Sequence, residues 1–462
     1  MTTISPRATP SAEWLQEARR RHLWPHVTPL AAFADREMRI IERGEGAYVY
    51  DVSGRRYFDA LSGLFTTQVG HGRSELAAAA ARQAEKIAFQ PVWGAAHRPA
   101  VELAERVSSL APGDLNRIFF TTGGSEAAES AWKLARSYFA AIGQPRRYKV
   151  ITRQGCYHGT TLGALSLTAL PMFKAPFEPL VPGSVVAANT NFYRATEHRD
   201  DIRAFGAYCA DSIEQAILRE GPESVAAVFV EPVQNSGGCL PPPPGYLERV
   251  REICTRYGVL LVSDEVICAF GRLGAYFGAE KYGFAPDLIT CAKGLTSGYS
   301  PLGALIVSDR IAEPFLNEGV LFPHGLTFAG HPVSCAVALA NLDIFEREGI
   351  VDNVAEHEPM LREALESLYH HPIVGDVRGA GYLFGIEFVK DQASRERFTV
   401  DEADAIISRL DTGLADAGLL ARADRRGDLV LTLAPPLICG SSEIEMIREV
   451  LDTVIGDVCR TA

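Results

Sequence analysis

The chain of 462 residues lacks an excess of positive charge. It contains 45 Lys and Arg against 57 Asp and Glu, which gives a net charge of −12. Proteins that bind nucleic acid normally present a basic face, so this balance argues against a nucleic-acid partner. No uncharged apolar stretch reaches the roughly 18 residues that a membrane-spanning helix requires, so no membrane association is expected. With 47% hydrophobic and 22% charged residues, the composition is typical of a soluble globular enzyme.

Paired cysteines are also missing. The nine cysteines are scattered and form no CxxC pair, which argues against zinc and thioredoxin-like sites. Several lie in apolar runs, as Cys268 does, so buried free thiols are expected. The segment 1–7 has no basic stretch followed by an apolar run, so no signal peptide is predicted. Together these features predict a cytoplasmic protein.

The pattern of short apolar runs predicts an α/β fold. From residue 117 onward, strand-like runs flanked by breakers alternate with helical segments, as in parallel strands that are covered on both faces. The predicted strands are 117–120, 149–152, 225–230, 259–263 and 288–291. The last part of the chain is predicted to be α+β, with helices at 354–369 and 401–417, strands near 383–389 and 429–433, and a final helix from 442.

Four segments are predicted along the chain. They are an N-terminal arm and helix (1–28), the N-terminal part of a small domain (29–75), a large α/β domain (76–340) and a C-terminal small α+β domain (341–462). Within the first segment, Ser11 is expected to cap a short helix that ends before Pro25.

A glycine-rich turn, Thr121–Glu126, connects a predicted strand to a long predicted helix. Glycines let the backbone approach an anion, and a helix N-terminus offers free N–H groups and the positive end of a dipole. Ser125 adds a hydroxyl and is also a candidate N-cap, so a phosphate cup and an ordinary strand-to-helix turn both remain open. The segment has neither the GK[ST] of a P-loop nor the GxGxxG of a dinucleotide site.

Two further candidates follow the ends of predicted strands. Asp264 can hold a protonated ring nitrogen through a charge-assisted hydrogen bond worth roughly 1.5–3 kcal/mol, and Val266 can pack against a flat ring. Lys293, 29 residues further on, becomes nucleophilic if partial burial lowers its pKa. A loop carboxylate and a solvated lysine would explain each residue separately. In this order after the glycine-rich turn, they predict the phosphate anchor, ring-nitrogen partner and imine lysine of one pyridoxal-phosphate (PLP) site.

The chain resembles the class III (ω-type) PLP aminotransferases of fold type I from about residue 30 to 456. The matching segments are Gly44–Asp51, Gly124–Ala127, Tyr157–Gly159, Glu231–Gln234, Asp264–Arg272, Ala292–Gly294, Thr327–Pro332 and Ala434–Leu437. The resemblance implies an α/β fold with a large, mostly parallel sheet domain and a smaller α+β domain, and pyridoxal 5′-phosphate as the cofactor.

The resemblance also implies the cofactor-binding residues. They are Gly124, Ser125, Tyr157, His158, Glu231, Gln234, Asp264, Val266, Lys293 and Thr327. Lys293 is similar to the lysine that holds the cofactor as a Schiff base and moves a proton, and Asp264 to the partner of the pyridinium nitrogen. Tyr157 and Val266 resemble the residues on the two ring faces, and Gly124 with Ser125 the phosphate cup.

The remaining cofactor residues have less direct roles by the same resemblance. Glu231 and Gln234 lie where the family places groups near the ring hydroxyl. His158 is expected either to brace Asp264 or to be an ordinary buried polar histidine. Thr327 resembles the residue that reaches the phosphate from the other subunit, so a homodimer is expected, with a tetramer as the alternative.

The substrate pocket is assigned by the resemblance to Phe65, Trp93 and Arg422. Core packing would equally explain the two aromatic residues, and Phe65 stands where relatives often have Trp, which changes the expected pocket size. Arg422 resembles a mobile arginine that grips a substrate carboxylate in one half-reaction. Arg425 and Arg426 of the same predicted hairpin are the alternatives, unless they are surface arginines.

The activity implied is transfer of an amino group from an amine or ω-amino acid to a keto acid, with pyruvate as the expected acceptor, by a ping-pong mechanism. An aminomutase or amino-acid racemase of the same fold is the alternative. A non-catalytic protein that kept the fold is disfavoured by the intact Lys293 and Asp264. A metal hydrolase is disfavoured because His158, His324 and His331 lack HxxxH-type spacing, and no metal site is expected.

Overall fold

The computed structural model of the protein describes residues 10–35, 37–317 and 319–461. Residues 1–9 of the predicted N-terminal arm lie outside the described residues. The first helix is Ala12–His22 (α1), and the Ser11 hydroxyl accepts a hydrogen bond from the Trp14 N–H at 3.2 Å. The helix therefore begins and ends where the sequence predicts.

A small antiparallel sheet and several helices follow α1. The strands are Ile41–Glu45 (β1), Tyr48–Asp51 (β2) and Arg56–Asp59 (β3), and the helices are Leu30–Asp35 (α2), Ser62–Phe65 (α3), Ser74–Lys86 (α4) and Arg98–Leu110 (α5). β1 pairs with β2, and β2 pairs with β3.

A seven-stranded sheet lies at the centre of the molecule. Its strands are Leu115–Thr121 (β4), Lys149–Arg153 (β5), Ser184–Ala187 (β6), Val225–Val230 (β7), Leu260–Asp264 (β8), Leu288–Cys291 (β9) and Gly303–Ser308 (β10), in the order β4-β10-β9-β8-β7-β5-β6. The strands from β9 to β6 run parallel to one another, whereas β10 is antiparallel to both of its neighbours. The sequence analysis identified five of these strands and missed β6 and β10.

Helices cover both faces of this sheet. Val228 of β7 lies in one buried cluster with residues of Ile202–Glu220 (α9) and Tyr246–Tyr257 (α10). The next residue, Phe229, lies in another cluster with residues of Gly124–Ala141 (α6). Because both faces are occupied, the carboxyl edge of the strands is the place left for a ligand.

Shorter helices complete this part of the chain. They are Leu162–Leu167 (α7), Pro171–Lys174 (α8), Gly278–Tyr282 (α11) and Asp309–Asn317 (α12), with 3₁₀ turns at Ala175–Phe177, Phe192–Arg194, Pro222–Ser224 and Lys293–Leu295.

The last part of the chain forms a third sheet with flanking helices. Its elements are Pro332–Arg347 (α13), Ile350–Glu366 (α14), the 3₁₀ turn Ser367–His370, Val374–Ala380 (β11), Leu383–Phe388 (β12), Val400–Asp416 (α15), Leu419–Leu420 (β13), Arg422–Asp424 (β14), Val430–Leu433 (β15) and Ser441–Thr461 (α16). The sheet order is β11-β12-β15-β14.

The short strand β13 joins the N-terminal sheet instead of its neighbours. It runs parallel to β3, with Leu419 opposite Phe58. This pairing brings together the segments 29–75 and 341–462, which the sequence analysis assigns to one small domain. The domain boundaries themselves stay a prediction.

The nine cysteines are all free thiols, eight of them buried and Cys459 half-buried. Burial raises the pKa of Cys254 and of Cys335 to about 12. Among the described residues, no helix is both long and apolar enough to cross a membrane.

Candidate active site

A cavity of about 500 Å³ opens at the carboxyl edge of the central sheet. Its volume lies in the usual range for a small-molecule site. Of the site residues predicted from the sequence, those in its lining are Phe65, Gly124, Ser125, Tyr157, His158, Glu231, Asp264, Val266, Lys293 and Arg422. The lining found in the described part of the chain does not include Trp93, Gln234 or Thr327.

The amino end of α6 lies on the cavity. The helix begins at Gly124, and Gly123 is the N-cap, with an extended backbone and no side chain to occupy the first N–H groups. Ser125 therefore lies inside the first turn and not at the N-cap position. The open amino end is suited to an anion, as the phosphate-cup interpretation requires.

Two glycines allow close approaches around this helix end. A Cβ on Gly124 would lie 2.6 Å from Val266 Cγ1, and a Cβ on Gly159 would lie 2.4 Å from Ser125 Oγ. Gly159 also has a φ of +131°, which side chains rarely adopt. The Ser125 hydroxyl accepts a hydrogen bond from the Thr160 N–H at 3.2 Å. Because these two glycines have no side chain, Val266 and Ser125 can lie close to the backbone at the helix end.

Asp264 is the last residue of β8 and is buried at the base of the cavity. Its Oδ2 lies 2.6 Å from His158 Nδ1, and its Oδ1 accepts hydrogen bonds from the Thr290 hydroxyl at 3.1 Å and the Val266 N–H at 3.2 Å. Of the two interpretations of His158, the structure therefore favours the one in which it braces Asp264.

The protonation of His158 follows from its buried contacts. Burial by itself lowers the pKa of His158, but Cys156 and Asp264 raise it well above its ordinary value. The Cys156 thiol donates a hydrogen bond to the Leu167 carbonyl at 3.3 Å, so we attribute the increase to the Asp264 carboxylate. A charged His158 therefore forms a buried ion pair with the Asp264 carboxylate. Among the described residues, His158 Nε2 has no hydrogen-bond partner.

Lys293 begins a 3₁₀ turn just after β9, with its side chain on the cavity. Burial lowers the pKa of Lys293 to about 8, and the nearby Asp264 carboxylate opposes part of this decrease. The Nζ atom lies 5.5 Å from the centre of the Phe65 ring. The amine is therefore neutral at a much lower pH than an exposed lysine, and a neutral amine is nucleophilic.

Glu231 follows β7 and contributes a buried carboxylate to the cavity. It accepts hydrogen bonds from the Tyr157 N–H at 3.4 Å and the Asn235 N–H at 3.2 Å, and burial raises its pKa to about 7. The buried Ser236 hydroxyl, also on the cavity, has no partner among the described residues. Gln234 is fully buried and donates to two backbone carbonyls, one of them that of Ser236, at 3.0 Å.

The arginines of the β14–β15 hairpin point in different directions. Arg422 lines the cavity, with its guanidinium 5.0 Å from the centre of the Phe65 ring. Arg425 pairs instead with Asp404 of α15, at 2.5 Å and 3.1 Å. The geometry therefore favours Arg422 over Arg425 as the residue that meets a substrate.

Arg426 is a cavity residue that the sequence analysis left open as a surface arginine. It lines the cavity next to Phe173, with its guanidinium 5.4 Å from the ring centre. Phe173 in turn meets the Tyr157 ring edge-on at 5.9 Å. Its place in the same predicted hairpin as Arg422 was the only sequence signal for Arg426, and Phe173 had none.

Trp93 and Thr327 lie at the surface, away from this lining. Trp93 is 64% exposed, and a Cβ on Gly325 would lie 2.9 Å from its ring. Thr327 is also exposed, and its neighbour Phe328 meets Phe89 edge-on at 5.6 Å. Phe89, Trp93 and Phe328 form an exposed apolar patch next to Thr327.

The residues around the cavity fit a phosphorylated pyridine aldehyde. The amino end of α6 suits its phosphate, the Asp264 carboxylate suits a protonated ring nitrogen, and the Lys293 amine suits its aldehyde carbon. This combination defines a PLP-dependent enzyme.

The chain belongs to the class III aminotransferases: the family described as "Aminotransferase class-III" matches residues 31–455. It is therefore an aminotransferase that uses pyridoxal 5′-phosphate and moves amino groups between small molecules.

Its relatives and structural neighbours carry related names. The chain is 58% identical to a probable aminotransferase of Mycobacterium tuberculosis, over 95% of this chain and 94% of the relative. It is 40% identical to a putrescine–pyruvate aminotransferase of Pseudomonas aeruginosa, over 96% of this chain and 97% of the relative. An (S)-enantioselective ω-transaminase of Thermomicrobium roseum has a similar structure, with a TM-score of 0.94 and 40% identity, over 98% of this chain and all of that one.

Proposed function

We propose that this chain transfers the amino group of an amine or ω-amino acid to pyruvate in a ping-pong reaction. The observation that carries the proposal is that the Lys293 amine, with its lowered pKa, and the Asp264 carboxylate line one cavity. The similarity to a putrescine–pyruvate aminotransferase supports an amine donor and pyruvate as the acceptor.

Lys293 carries the proton in this proposal. Bound pyridoxal phosphate supplies an electron sink for the carbon that loses the proton. The freed Lys293 amine accepts the proton from the substrate carbon, because its lowered pKa leaves part of it neutral near neutral pH. With the cofactor bound, Asp264 would hold the proton of the ring nitrogen, and the contact with His158 fixes the position of its carboxylate.

The remaining lining residues bind and orient. The amino end of α6, with Ser125, would hold the cofactor phosphate, and Val266 and Tyr157, which line the same cavity, would pack on the ring faces. By the family resemblance, Glu231 and Gln234 would lie near the ring hydroxyl of the bound cofactor. Phe65 limits the space for the substrate.

We also infer a homodimer in which Thr327 reaches the phosphate of the partner subunit. Its support is the exposed apolar patch of Phe89, Trp93 and Phe328 beside Thr327, since patches of this kind mark association surfaces. In the dimer, Trp93 would border a cavity of the partner. A cytoplasmic location fits the nine free thiols.

The proposal is tested by incubating the purified protein with putrescine and pyruvate and measuring alanine. We expect alanine from the wild type and none from Lys293→Ala, which has lost the proton carrier. Lys86→Ala, at the exposed end of α4, is the matched control and should retain activity.

Other outcomes would change the proposal. If the protein forms glutamate from 2-oxoglutarate but no alanine from pyruvate, the acceptor is 2-oxoglutarate and not pyruvate. An isomerised or racemised amino acid without any transfer would favour the aminomutase or racemase alternative.

A further inference from the structure

The two arginines in the cavity share one carboxylate. Asp424 Oδ2 lies 2.9 Å from Arg422 Nε and 3.3 Å from Arg426 Nε. Arg422 and Asp424 are two residues apart on β14, so their side chains project from the same face of the strand. Arg426 lies in the following turn, and its N–H donates to Asp424 Oδ1 at 3.2 Å, which holds the carboxylate between the two guanidinium groups.

The contact between Arg422 and Asp424 is close but poorly directed. Arg422 Nε and Asp424 Oδ2 are both shielded from solvent, yet they are not aligned as a hydrogen bond, and neither has one elsewhere in the described part of the chain. The attraction is therefore between charges. A carboxylate that met the planar guanidinium with both oxygens would bind it better.

Arg422 needs a counter-ion in the cavity. Its side chain is only 18% exposed, and burial lowers its pKa. A buried charge that loses its partner destabilises its surroundings strongly. When the substrate is an amine without a carboxylate, Asp424 is the group that can balance Arg422.

We propose that Asp424 is a specificity-determining residue. Its carboxylate pairs with Arg422 while an uncharged amine substituent occupies the cavity. When a keto acid binds, Asp424 releases Arg422, which then pairs with the carboxylate of the keto acid. Arg426 binds Asp424 when Arg422 has left it, so that no charge in the hairpin is unpaired in either half-reaction. The inference rests on the proposed function, in which Arg422 binds the acceptor carboxylate.

The test compares three variants of the holoenzyme with the wild type, using 1-phenylethylamine as a donor without a carboxylate and pyruvate as the acceptor. Asp424→Asn removes the internal carboxylate that competes with pyruvate for Arg422. Its side-chain oxygen can still accept the hydrogen bond from the Arg426 N–H. We expect KM for pyruvate to fall and KM for the amine to rise, each by about tenfold. Arg426→Gln removes the second guanidinium that attracts Asp424. Asp424 should then pair more strongly with Arg422, so KM for pyruvate should rise.

The control is Asp404→Asn, which removes the partner of Arg425 from the same hairpin, outside the cavity. It should change neither KM. Binding of propionate, which has a carboxylate but no reactive carbonyl, adds a measurement that needs no turnover. Calorimetry should show that propionate binds Asp424→Asn about tenfold more tightly than it binds the wild type. Its affinity for Asp404→Asn should equal that for the wild type.

The inference is overturned if Asp424→Asn shifts both KM values in the same direction, or lowers kcat alone, as general damage to the hairpin would. It is also overturned if propionate binds this variant no more tightly than the wild type. Failure of the proposed function looks different, because the wild type would then make no alanine.

Discussion

Lys293 has a backbone conformation that few residues other than glycine adopt. Its φ is +37°, and a Cβ on the next residue, Gly294, would lie 2.5 Å from Gln68 Nε2. A strained backbone of this kind costs about 1–3 kcal/mol, and it persists only where the surroundings fix it. The fold therefore holds the lysine in place at the expense of stability.

Replacing Lys293 by Met should stabilise the cofactor-free protein. Burial lowers the pKa of Lys293 from 10.5 to about 8, so the folded state disfavours the charged amine. The penalty is complete below pH 8 and disappears as the pH rises from 8 to 10.5. We expect Lys293→Met to raise the free energy of unfolding at pH 7 by about 1–3 kcal/mol.

Urea unfolding at pH 7 and pH 10 measures this gain, with Lys86→Met as the exposed control. The gain should be small at pH 10. An equal gain at both pH values would show that packing, and not charge, is responsible.

The sequence predicted residues of the site that occur in local motifs. Asp264 and Lys293 follow apolar runs, and their spacing is visible in the chain. The contact of His158 with Asp264 joins residues 106 positions apart, so it leaves no local pattern, and the family resemblance offered it only as one of two alternatives. Whether Arg426 points into the cavity depends on the conformation of its turn, which neighbouring charges alone do not determine.

At the scale of elements, the amino end of α6 depends on a glycine that lets Val266 approach. In Gly124→Ala, the new Cβ would lie 2.6 Å from Val266 Cγ1, so the side chain or the helix must shift. We expect pyridoxal phosphate to bind about tenfold more weakly, because both groups contact the bound cofactor in the proposed arrangement.

Arg136→Ala is the matched control for this prediction. Arg136 lies at an exposed position of the same helix and is not part of the cavity lining. The dissociation constants can be compared by absorbance titration of the cofactor-free proteins. Equal weakening in both variants would contradict the argument from the Val266 contact.

Three of the strands that the sequence revealed, β7, β8 and β9, are buried along their whole length. β7 is apolar throughout, and β8 begins with three apolar residues. β6 has four residues and is partly exposed, so its pattern is weak. β10 follows β9 without an intervening long helix, and the alternation expected of parallel strands therefore does not predict it.

At the scale of the whole molecule, Arg272 links distant parts of the chain. Its buried guanidinium donates to the Tyr382 carbonyl at 3.0 Å and the Pro435 carbonyl at 2.6 Å. It also donates to the Ser62 hydroxyl and the Gln68 side-chain oxygen, both at 3.2 Å. One side chain thus joins the N-terminal, central and C-terminal segments beside the cavity.

Removing this side chain should destabilise the entire protein. We expect Arg272→Leu to lower the free energy of unfolding by about 3–5 kcal/mol, because it leaves buried acceptors without donors. Arg98→Leu, which breaks an exposed pair with Glu102, should cost less than about 1 kcal/mol. Urea unfolding compares the two, and similar losses would rule out a linking role for Arg272.

Long-range contacts of this kind could not be predicted from the sequence. The motif that ends in Arg272 was recognisable, but its four partners come from segments that lie far away along the chain. The same holds for β13, which has two residues and pairs with β3 from the other end of the protein. Such a short strand has no hydrophobic period from which its pairing can be predicted.

The burial of the thiols has a practical consequence for chemical labelling. Eight of the nine cysteines are buried, and burial raises the pKa of the half-buried Cys459. A maleimide reacts with exposed thiolates, so it will react slowly with the native protein. A cysteine introduced at an exposed position such as Ser394 should therefore take up a dye, or attach the enzyme to a solid support, at one chosen point without removal of the native cysteines.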